Sequence, residues 1–260
     1  MDLNERQHEI LSVARASGRV MVEDLAARFQ VTPQTIRKDL NDLCDRQMLA
    51  RIHGGAVVTS SVENVSYEAR RLIADAEKRA IGRAAAQLVP DNSSLFINIG
   101  TTTEEVAKAL ADRRDLLVIT NNLHVAMQLY PNPAMRVIVA GGQVRHSDGA
   151  VIGASAIDLI QQFKVDLAII GASAIDEDGT LLDFDYQEVR VSQAIIAHAR
   201  RVVLVSDHLK VGRSAPVRIA HIKQVNVFVT DKMVSPALSA VCAMEGVEVI
   251  ETGAGSDILP

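Results

Sequence analysis

The stretch Thr32-Pro33-Gln34-Thr35-Ile36-Arg37-Lys38-Asp39-Leu40 decides how the first part of this chain is interpreted. Thr32 can cap a helix, and Pro33 suits the first helical position. At 100° per residue one stripe is apolar, made of Ile36, Leu40 and Leu43. Amide, hydroxyl and cationic side chains near the start of a helix, outside its apolar stripe, can contact base edges and phosphates in DNA. The candidate contacts are Thr32, Gln34, Thr35, Arg37, Lys38 and Asn41.

If the helix stood alone, a solvated helix face would be the better explanation of these polar side chains. The flanking sequence, however, predicts two more helices and a hairpin. A helical stripe begins at Leu3, a second helix fits Glu23 to Gln30, and two β-type runs flank His53-Gly54-Gly55. Three helices and a hairpin form a winged helix, in which Arg51 and His53 are the expected wing contacts. A three-helix interaction module stays open as the alternative.

The charge distribution favours DNA binding by more than one copy of the chain. The whole chain has 27 Lys and Arg against 32 Asp and Glu, a net charge of -5. Between Arg28 and His53, the sequence contains five basic and three acidic residues. Because this local excess is small, we expect tight binding only where base contacts and a second copy add to it. We therefore expect a homodimer or homotetramer.

Composition places the chain among globular proteins with one large core and a smaller domain, since 48% of its 260 residues are hydrophobic and 23% are charged. The opening residues Met1-Asp2-Leu3-Asn4-Glu5 do not resemble a targeting signal, and the apolar run from Val165 to Ile175 is too short to span a membrane. Cys44 and Cys242 are too few for a disulfide framework or a thiolate metal site. We expect a soluble cytoplasmic protein without cofactor or metal.

The pattern changes after the predicted hairpin. We assign residues 1–58 to the winged helix and 59–75 to a linker, because the polar stretch before Tyr67 has no helical stripe. In residues 76–260, seven apolar runs alternate with helical segments: Leu95 to Ile99, Leu116 to Thr120, Arg136 to Ala140, Asp166 to Gly171, Val202 to Ser206, Val225 to Thr230 and Val247 to Glu251. Runs that are apolar throughout indicate a largely parallel sheet with helices on both sides.

In such sheets ligands bind beyond the carboxyl ends of the strands. The first run ends in Gly100-Thr101-Thr102-Thr103 at a predicted helix start, where free amides and a glycine suit a phosphate. Further polar residues follow the other runs: Thr120, Asn121, Asn122, Gly141, Gly142, Arg145, Asp207 and Lys210. Together they predict a site for a small polyhydroxylated anion. A surface turn is the alternative interpretation of Asp207 and Lys210.

Two parts of the chain carry a family resemblance. The stretch from Val31 to Leu40, followed by Arg51-Ile52-His53-Gly54-Gly55-Ala56, resembles the DNA-binding signature of the DeoR family of bacterial transcriptional regulators. The stretches around Gly100, Thr120 and Gly141 resemble the sensor domain of that family. The resemblance implies an α/β protein in which an N-terminal winged helix-turn-helix binds operator DNA. A C-terminal domain similar to ribose-5-phosphate isomerase folds would bind a phosphorylated sugar or polyol as inducer.

One stretch bears on the identity of the inducer. Phe184-Asp185-Tyr186 with Glu188-Val189-Arg190 resembles the corresponding stretch of family members that control glycerol metabolism. The resemblance implies glycerol 3-phosphate as the inducer and adds Glu188 to the ligand site. Two departures from the family pattern keep a different sugar phosphate as an alternative inducer. Ala172-Ser173-Ala174 replaces a segment usually richer in glycine, and Val211 stands where Phe is usual.

The competing hypothesis is an enzyme, a sugar-phosphate isomerase with an added domain. Isomerisation needs a base beside the substrate carbon and a group that stabilises an oxyanion. Isomerases similar to this fold carry acids in an Asp-Gly-Ala-Asp-Glu segment, whereas Gly171 to Ile175 contains none. The acids at 176–178 follow in an expected solvated turn. We therefore predict no catalytic residues and a repressor rather than an enzyme; a pure protein-interaction module is a third, less favoured class.

Overall fold

The computed structural model describes residues 3–17, 19–46, 48–52, 54–58 and 64–253. The chain divides between Asp75 and Ala76 into two compact units, and each unit has its own core.

The first unit combines three helices with a small antiparallel sheet: α1 (Glu5–Ser17), β1 (Arg19–Met21), α2 (Val22–Phe29), α3 (Pro33–Asp45), β2 (Leu49–Ile52) and β3 (Gly55–Val58). The three predicted helices and the hairpin are confirmed. The sheet has the order β1-β3-β2, because Arg19 to Met21 pairs with β3. The sequence predicts only an apolar connection near Val20, since three residues are too few to show a strand period. The core of the first unit contains Ile10, Leu25, Ile36 and Leu40.

A short helix, α4 (Tyr67–Leu72), lies within the stretch assigned to the linker. Ser66 caps it by accepting a hydrogen bond from the Ala69 amide. Val65, Ala69 and Ile73 pack with Ile52 and Val57 of the hairpin in one buried cluster. Residues 64–75 therefore belong to the first unit, and the remaining predicted linker residues, 59–63, lie outside the described residues.

The second unit is built on a seven-stranded parallel sheet of order β15-β14-β12-β9-β4-β5-β6. Every predicted apolar run supplies one strand, which confirms the largely parallel α/β fold. The strands are β4 (Ser94–Ile97), β5 (Leu116–Thr120), β6 (Met135–Val139), β9 (Val165–Ile170), β12 (Ala199–Val205), β14 (Val227–Thr230) and β15 (Glu248–Glu251).

Helices cover both faces of this sheet. One face packs against α5 (Asp75–Gln87), α6 (Thr101–Ala109) and α7 (Leu123–Leu129). The other packs against α8 (Ala154–Gln161), α9 (Tyr186–Ala197) and α10 (Pro236–Met244). This double coverage explains why the strands are apolar throughout. None of the helices in the described residues is long and apolar enough to cross a bilayer.

Short strands, not predicted from the sequence, lie beyond the main sheet. A hairpin joins β7 (Gln143–Val144) to β8 (Val151–Ile152). A second small sheet has the order β10-β11-β13, formed by Ala174–Ile175, Thr180–Asp183 and Val217–His221. Strands of two residues leave no periodic signal, so only tertiary pairing defines them.

Candidate functional site

The start of α3 is closed by its own side chains. Thr32 is extended, and its hydroxyl accepts a hydrogen bond from the Thr35 amide at 3.2 Å, while Pro33 occupies the first turn. The hydroxyl oxygens of Thr32 and Thr35 are also 2.9 Å apart. The predicted cap is confirmed, and both hydroxyls lie within reach of this helix start.

The two faces of α3 separate as the sequence predicts. Ile36, Leu40 and Leu43 are fully buried. Gln34, Arg37, Lys38 and Asn41 are exposed, and Thr35 is half-buried. Arg37 lies 4.0 Å from the Glu23 carboxylate, and both side chains are more than half exposed, so this ion pair holds the guanidinium weakly.

Asp39 lies on the packed side of α3. Its carboxylate is 6% exposed and lies 2.5 Å from Nε of Arg6 on α1. Asp39 therefore pairs with a cation of α1 and does not belong to the exposed face of α3. Gln7 reaches the neighbouring Asp42 carboxylate at 3.4 Å, so α1 contacts α3 at two carboxylates.

The hairpin exposes Arg51, a predicted wing contact, only in part. Arg51 is half-buried, and its Nη1 is buried without a hydrogen-bond partner among the described residues. Burial raises the pKa of the Cys44 thiol on α3 to about 11, and the positive charge of Arg51 opposes that rise. Arg51 is therefore close to the C-terminal part of α3. His53 lies outside the described residues.

In the second unit, α6 begins without a side-chain cap. Gly100 precedes it with a φ of 142°, a conformation that a side chain rarely adopts. Thr101, Thr102 and Thr103 are all buried. The Thr103 hydroxyl donates to the carbonyls of Asn98 and Gly100 and so holds the turn. The backbone amides of this first turn meet no capping side chain and can bind an anion.

Thr120 and Asn122 connect neighbouring elements. The Thr120 hydroxyl donates to the Ile97 carbonyl at 2.6 Å. The Asn122 side chain caps α7 and donates to the Glu104 carboxylate at 3.2 Å. Between them, Asn121 is fully buried, and its Oδ1 has no hydrogen-bond partner among the described residues. Asn121 Nδ2 donates to the Val151 carbonyl at 3.3 Å, so all three of these predicted ligand residues already make structural hydrogen bonds.

Arg145 is surrounded by carboxylates. It donates two hydrogen bonds to Asp148 and one each to Asp185 and Glu188, at distances of 2.5 to 2.9 Å. Burial works against the charged form, but the hydrogen bond to Asp148 and the charge of Glu188 raise the pKa of Arg145 above its ordinary value. Because three carboxylates surround one cation, this arrangement differs from the open anion contact that the sequence predicts for Arg145.

Gly141 and Gly142 also follow β6. Both are exposed, and a Cβ on Gly142 would come within 2.7 Å of the Ile152 carbonyl. Gly142 therefore permits the close approach of β7 and β8, which is a structural role.

The turn after β12 contains a buried acid. Asp207 is fully buried; its Oδ1 accepts from the Leu209 amide, and its Oδ2 has no hydrogen-bond partner among the described residues. A buried carboxylate oxygen without a donor is costly, so a donor on a bound molecule would stabilise it. Lys210 follows in a 3₁₀ turn, His208–Lys210, and is partly exposed.

A residue at the end of β14 holds this turn. Asp231 accepts from the His208 amide at 2.8 Å, and its other oxygen lies 2.6 Å from His208 Nδ1. The hydrogen bond to Asp231 raises the pKa of His208, and His208 in turn lowers the pKa of Asp231 although burial opposes that shift. The sequence does not indicate this pair, because 23 residues separate the partners.

Lys78 is a second residue that sequence patterns do not reveal. It is 2% exposed on α5. The N-terminal residues of α5 line a cavity of about 590 Å³ with Asp231 and Glu251, so α5 begins at the carboxyl edge of the sheet, as α6 does. Gly82 lies against the backbone of Glu105 on α6. Lys78, one turn earlier, is therefore level with the start of α6.

The start of α6 and the end of β12 both lie next to the end of β9. Gly171 follows that strand, and a Cβ placed there would lie 3.8 Å or more from Thr103, the Ile99 carbonyl and the Val205 carbonyl. The end of β9 thus lies between the start of α6 and the turn containing Asp207. Amides on one side and an acceptor on the other can bind a small anion that carries hydroxyl groups.

The segment where similar isomerases carry acids follows Gly171 directly. Ala174 and Ile175 form β10, and Asp176, Glu177 and Asp178 lie in the turn before β11. Asp176 donates its backbone amide to Thr180, which closes this turn. These carboxylates are therefore part of a hairpin that follows the segment.

The chain is similar to known protein families along most of its length. A DeoR-like helix-turn-helix domain matches residues 6–62, and the DeoR C-terminal sensor domain matches residues 73–232. The Glycerol-3-phosphate regulon repressor of Escherichia coli K12 is 44% identical over 231 residues, covering 89% of this chain and 92% of that protein. Its Haemophilus influenzae counterpart is 43% identical, covering 86% and 88%. The HTH-type transcriptional repressor CsqR of E. coli K12 is 38% identical, covering 95% of each.

Among solved structures, ribose 5-phosphate isomerase from Plasmodium falciparum has a TM-score of 0.39 at 14% identity, covering 53% of each chain. Translation initiation factor eIF-2B from Pyrococcus horikoshii has a TM-score of 0.49 at 15% identity, covering 88% of this chain and 82% of that one. The sequence matches are the decisive ones, because they extend through both units at high identity. The chain therefore belongs to the DeoR family of DNA-binding transcriptional repressors.

Proposed function

We propose that this protein represses transcription from operator DNA and releases that DNA when a small phosphorylated polyol, glycerol 3-phosphate, binds its second unit. The observation that carries the proposal is the uncapped start of α6 beside the end of β9, opposite the buried carboxylate of Asp207. Two relatives named as glycerol-3-phosphate regulon repressors, at 44% and 43% identity, support this choice of ligand.

In this proposal α3 enters the major groove. Its exposed side chains Gln34, Arg37, Lys38 and Asn41 contact bases and phosphates, with Thr32 and Thr35 at its N-terminus. The hairpin with Arg51 and His53 follows the DNA backbone. Because one domain supplies few cations, a homodimer or homotetramer places two such helices about one helical turn apart, or a multiple of it.

The ligand site combines two kinds of contact. The amides of Gly100 to Thr103 bind the phosphate, and Lys78 or Lys210 adds positive charge. Asp207 Oδ2 accepts a hydrogen bond from a ligand hydroxyl. Binding favours an arrangement of the oligomer that does not match the operator, and a coupling of about 1–3 kcal/mol per site suffices for a useful response.

A gel-shift titration tests the proposal. Operator DNA, selected from the promoter next to the gene, is bound by the purified full chain and titrated with glycerol 3-phosphate, glycerol and several sugar phosphates. We expect release by glycerol 3-phosphate and none by glycerol. If no phosphorylated compound changes the DNA affinity, the proposed inducer site is wrong.

A different sugar phosphate is the second candidate, and one contact favours it. Val211, where Phe is usual, forms a β-bridge with Ile175, next to the segment that departs from the glycine-rich pattern. The two departures therefore meet in one place near the end of β9. A change of pocket shape at this position would select a ligand with another carbon skeleton, and the same titration distinguishes the candidates.

A further inference from the structure

The two edges of the seven-stranded sheet differ in how they are protected. β6 forms one edge and β15 the other. Within residues 76–253 no strand pairs with the outer side of either. An unpaired edge offers backbone donors and acceptors to another strand, and charged side chains are a common protection against such pairing.

β15 is protected by charge. Glu248 and Glu251 are exposed at its two ends, and Arg201 of β12, two strands away in the sheet, contacts only the first of them, at 3.3 Å. In the antiparallel pair of two copies of β15 whose two-fold axis lies between Val249 and Ile250, each Glu248 would face a Glu251. Like charges directly opposite each other destabilise such a pair.

β6 has no such protection. Its sequence, Met135-Arg136-Val137-Ile138-Val139, contains one charge. If two copies pair about a two-fold axis through Val137, each Arg136 faces an Ile138 and each Met135 faces a Val139. No like charges are opposed, and β-branched side chains face the partner, which suits cross-strand packing.

Exposed apolar side chains lie next to this edge. Met127 of α7 is 66% exposed, and Tyr130, which follows this helix, is 63% exposed; α7 packs on β6. Val139 at the end of the strand and Val144 on β7 are also exposed. Large apolar side chains grouped on a surface mark sites of protein association.

We propose that β6 and α7 form the interface between two copies of this chain, with β6 paired antiparallel to β6 of the second copy about a two-fold axis at Val137. Such an interface is closed, because each copy uses the same surface. Pairing of β6 with β15 would instead produce an open filament. The proposed DNA binding depends on an oligomer that uses this surface, but the surface is tested without DNA or ligand.

A cysteine at the axis provides a direct test. In Val137→Cys the two Cα atoms would be about 4.5–5.5 Å apart, within the range that a disulfide bridges. Mild oxidation of the full chain should produce several-fold more covalent dimer than the unmodified chain or Val234→Cys, a control at a side chain that is 42% exposed elsewhere. Equal cross-linking of Val137→Cys and Val234→Cys would overturn the interface.

A second measurement stands even if the cysteine variant folds poorly. Sedimentation of Met127→Lys/Tyr130→Lys should show at least tenfold weaker self-association than the unmodified chain. Met244→Lys, at a side chain 76% exposed on α10, is the matched control and should associate normally. A monomeric unmodified chain, or equal effects of both substitutions, would refute the proposal. If the dimer forms as described and no sugar phosphate releases DNA, the interface stands and the proposed inducer site fails.

Discussion

The helix starts of α3 and α6 follow similar polar turns and differ in what completes them. At α3 the Thr32 side chain caps the helix, and the polar residues beyond it are exposed. At α6 Gly100 supplies no cap, and the three threonines that follow are buried. A capped, exposed start presents side chains to a large partner. An uncapped, enclosed start leaves backbone amides for a small anion, so the two helix starts suit different kinds of partner.

The largest expected effect is that of a substitution in the candidate ligand site of the second unit. Asp207→Asn keeps an acceptor for the Leu209 amide and removes the buried negative charge. If Oδ2 accepts from a ligand hydroxyl, inducer affinity should fall by about 1.5–3 kcal/mol, the usual contribution of a hydrogen bond to a charged group. The ligand-free protein should become more stable, because a buried carboxylate with one oxygen lacking a donor is replaced by a neutral amide. Calorimetric titration and thermal melting measure the two effects.

Asp158→Asn, at an exposed position on α8, is the matched control and should change neither quantity. A parallel loss of stability and inducer affinity in Asp207→Asn would mean that Asp207 supports the fold rather than the ligand.

The next effect concerns the exposed face of α3. Arg37→Ala should weaken operator binding by about 1–3 kcal/mol if the guanidinium contacts a base. The weak pair with Glu23 is its only ion pair among the described residues, so stability should hardly change. Fluorescence anisotropy with labelled operator measures the affinity.

Arg200→Ala in the second unit removes a similarly exposed cation and serves as control. Loss of inducer binding together with DNA binding in Arg37→Ala would indicate misfolding and would contradict the assigned role.

The cap itself can be tested by a smaller effect. Thr32→Ala should lower the stability of the first unit by about 1 kcal/mol, because the Thr35 amide loses its side-chain acceptor. Asn41→Ala on the exposed face should leave stability unchanged or raise it, since alanine is the better helix former. Urea unfolding of both variants compares them, and equal destabilisation would show that Thr32 does not act as a cap.

Long, regular patterns in the sequence predict most of the fold. Seven apolar runs become seven strands, and the stripe of Ile36, Leu40 and Leu43 becomes the buried face of α3. These predictions succeed because burial on one or two faces imposes a period on the chain. The β1 strand and the β7–β8 hairpin are too short to show that period.

The sites are harder to predict, because partners distant in sequence decide what each side chain does. Arg145 resembles an anion contact until Asp185 and Glu188, 40 and 43 residues away, are placed beside it. Lys78 looks like a solvated lysine on a helix, although it is buried. A side chain's type is visible in the sequence, whereas its partners depend on the packing of the sheet and helices.

The smallest predicted effect is a pH dependence at the turn that carries Asp207. The pKa of His208 is raised above 6.5 by Asp231, so its contribution to stability is present below that value and is lost as pH rises through the higher folded pKa. The pKa of Asp231 is lowered below 3.8, so its contribution is present above that value and is lost as pH falls through the folded pKa. The pair therefore stabilises most between pH 3.8 and 6.5.

His208 is about one-third exposed, so solvent screening should keep the contribution of the His208–Asp231 pair under about 1 kcal/mol. Unfolding of the unmodified chain and of His208→Gln should differ most in this window and converge above it, and a difference that grows at alkaline pH would contradict the assigned pair.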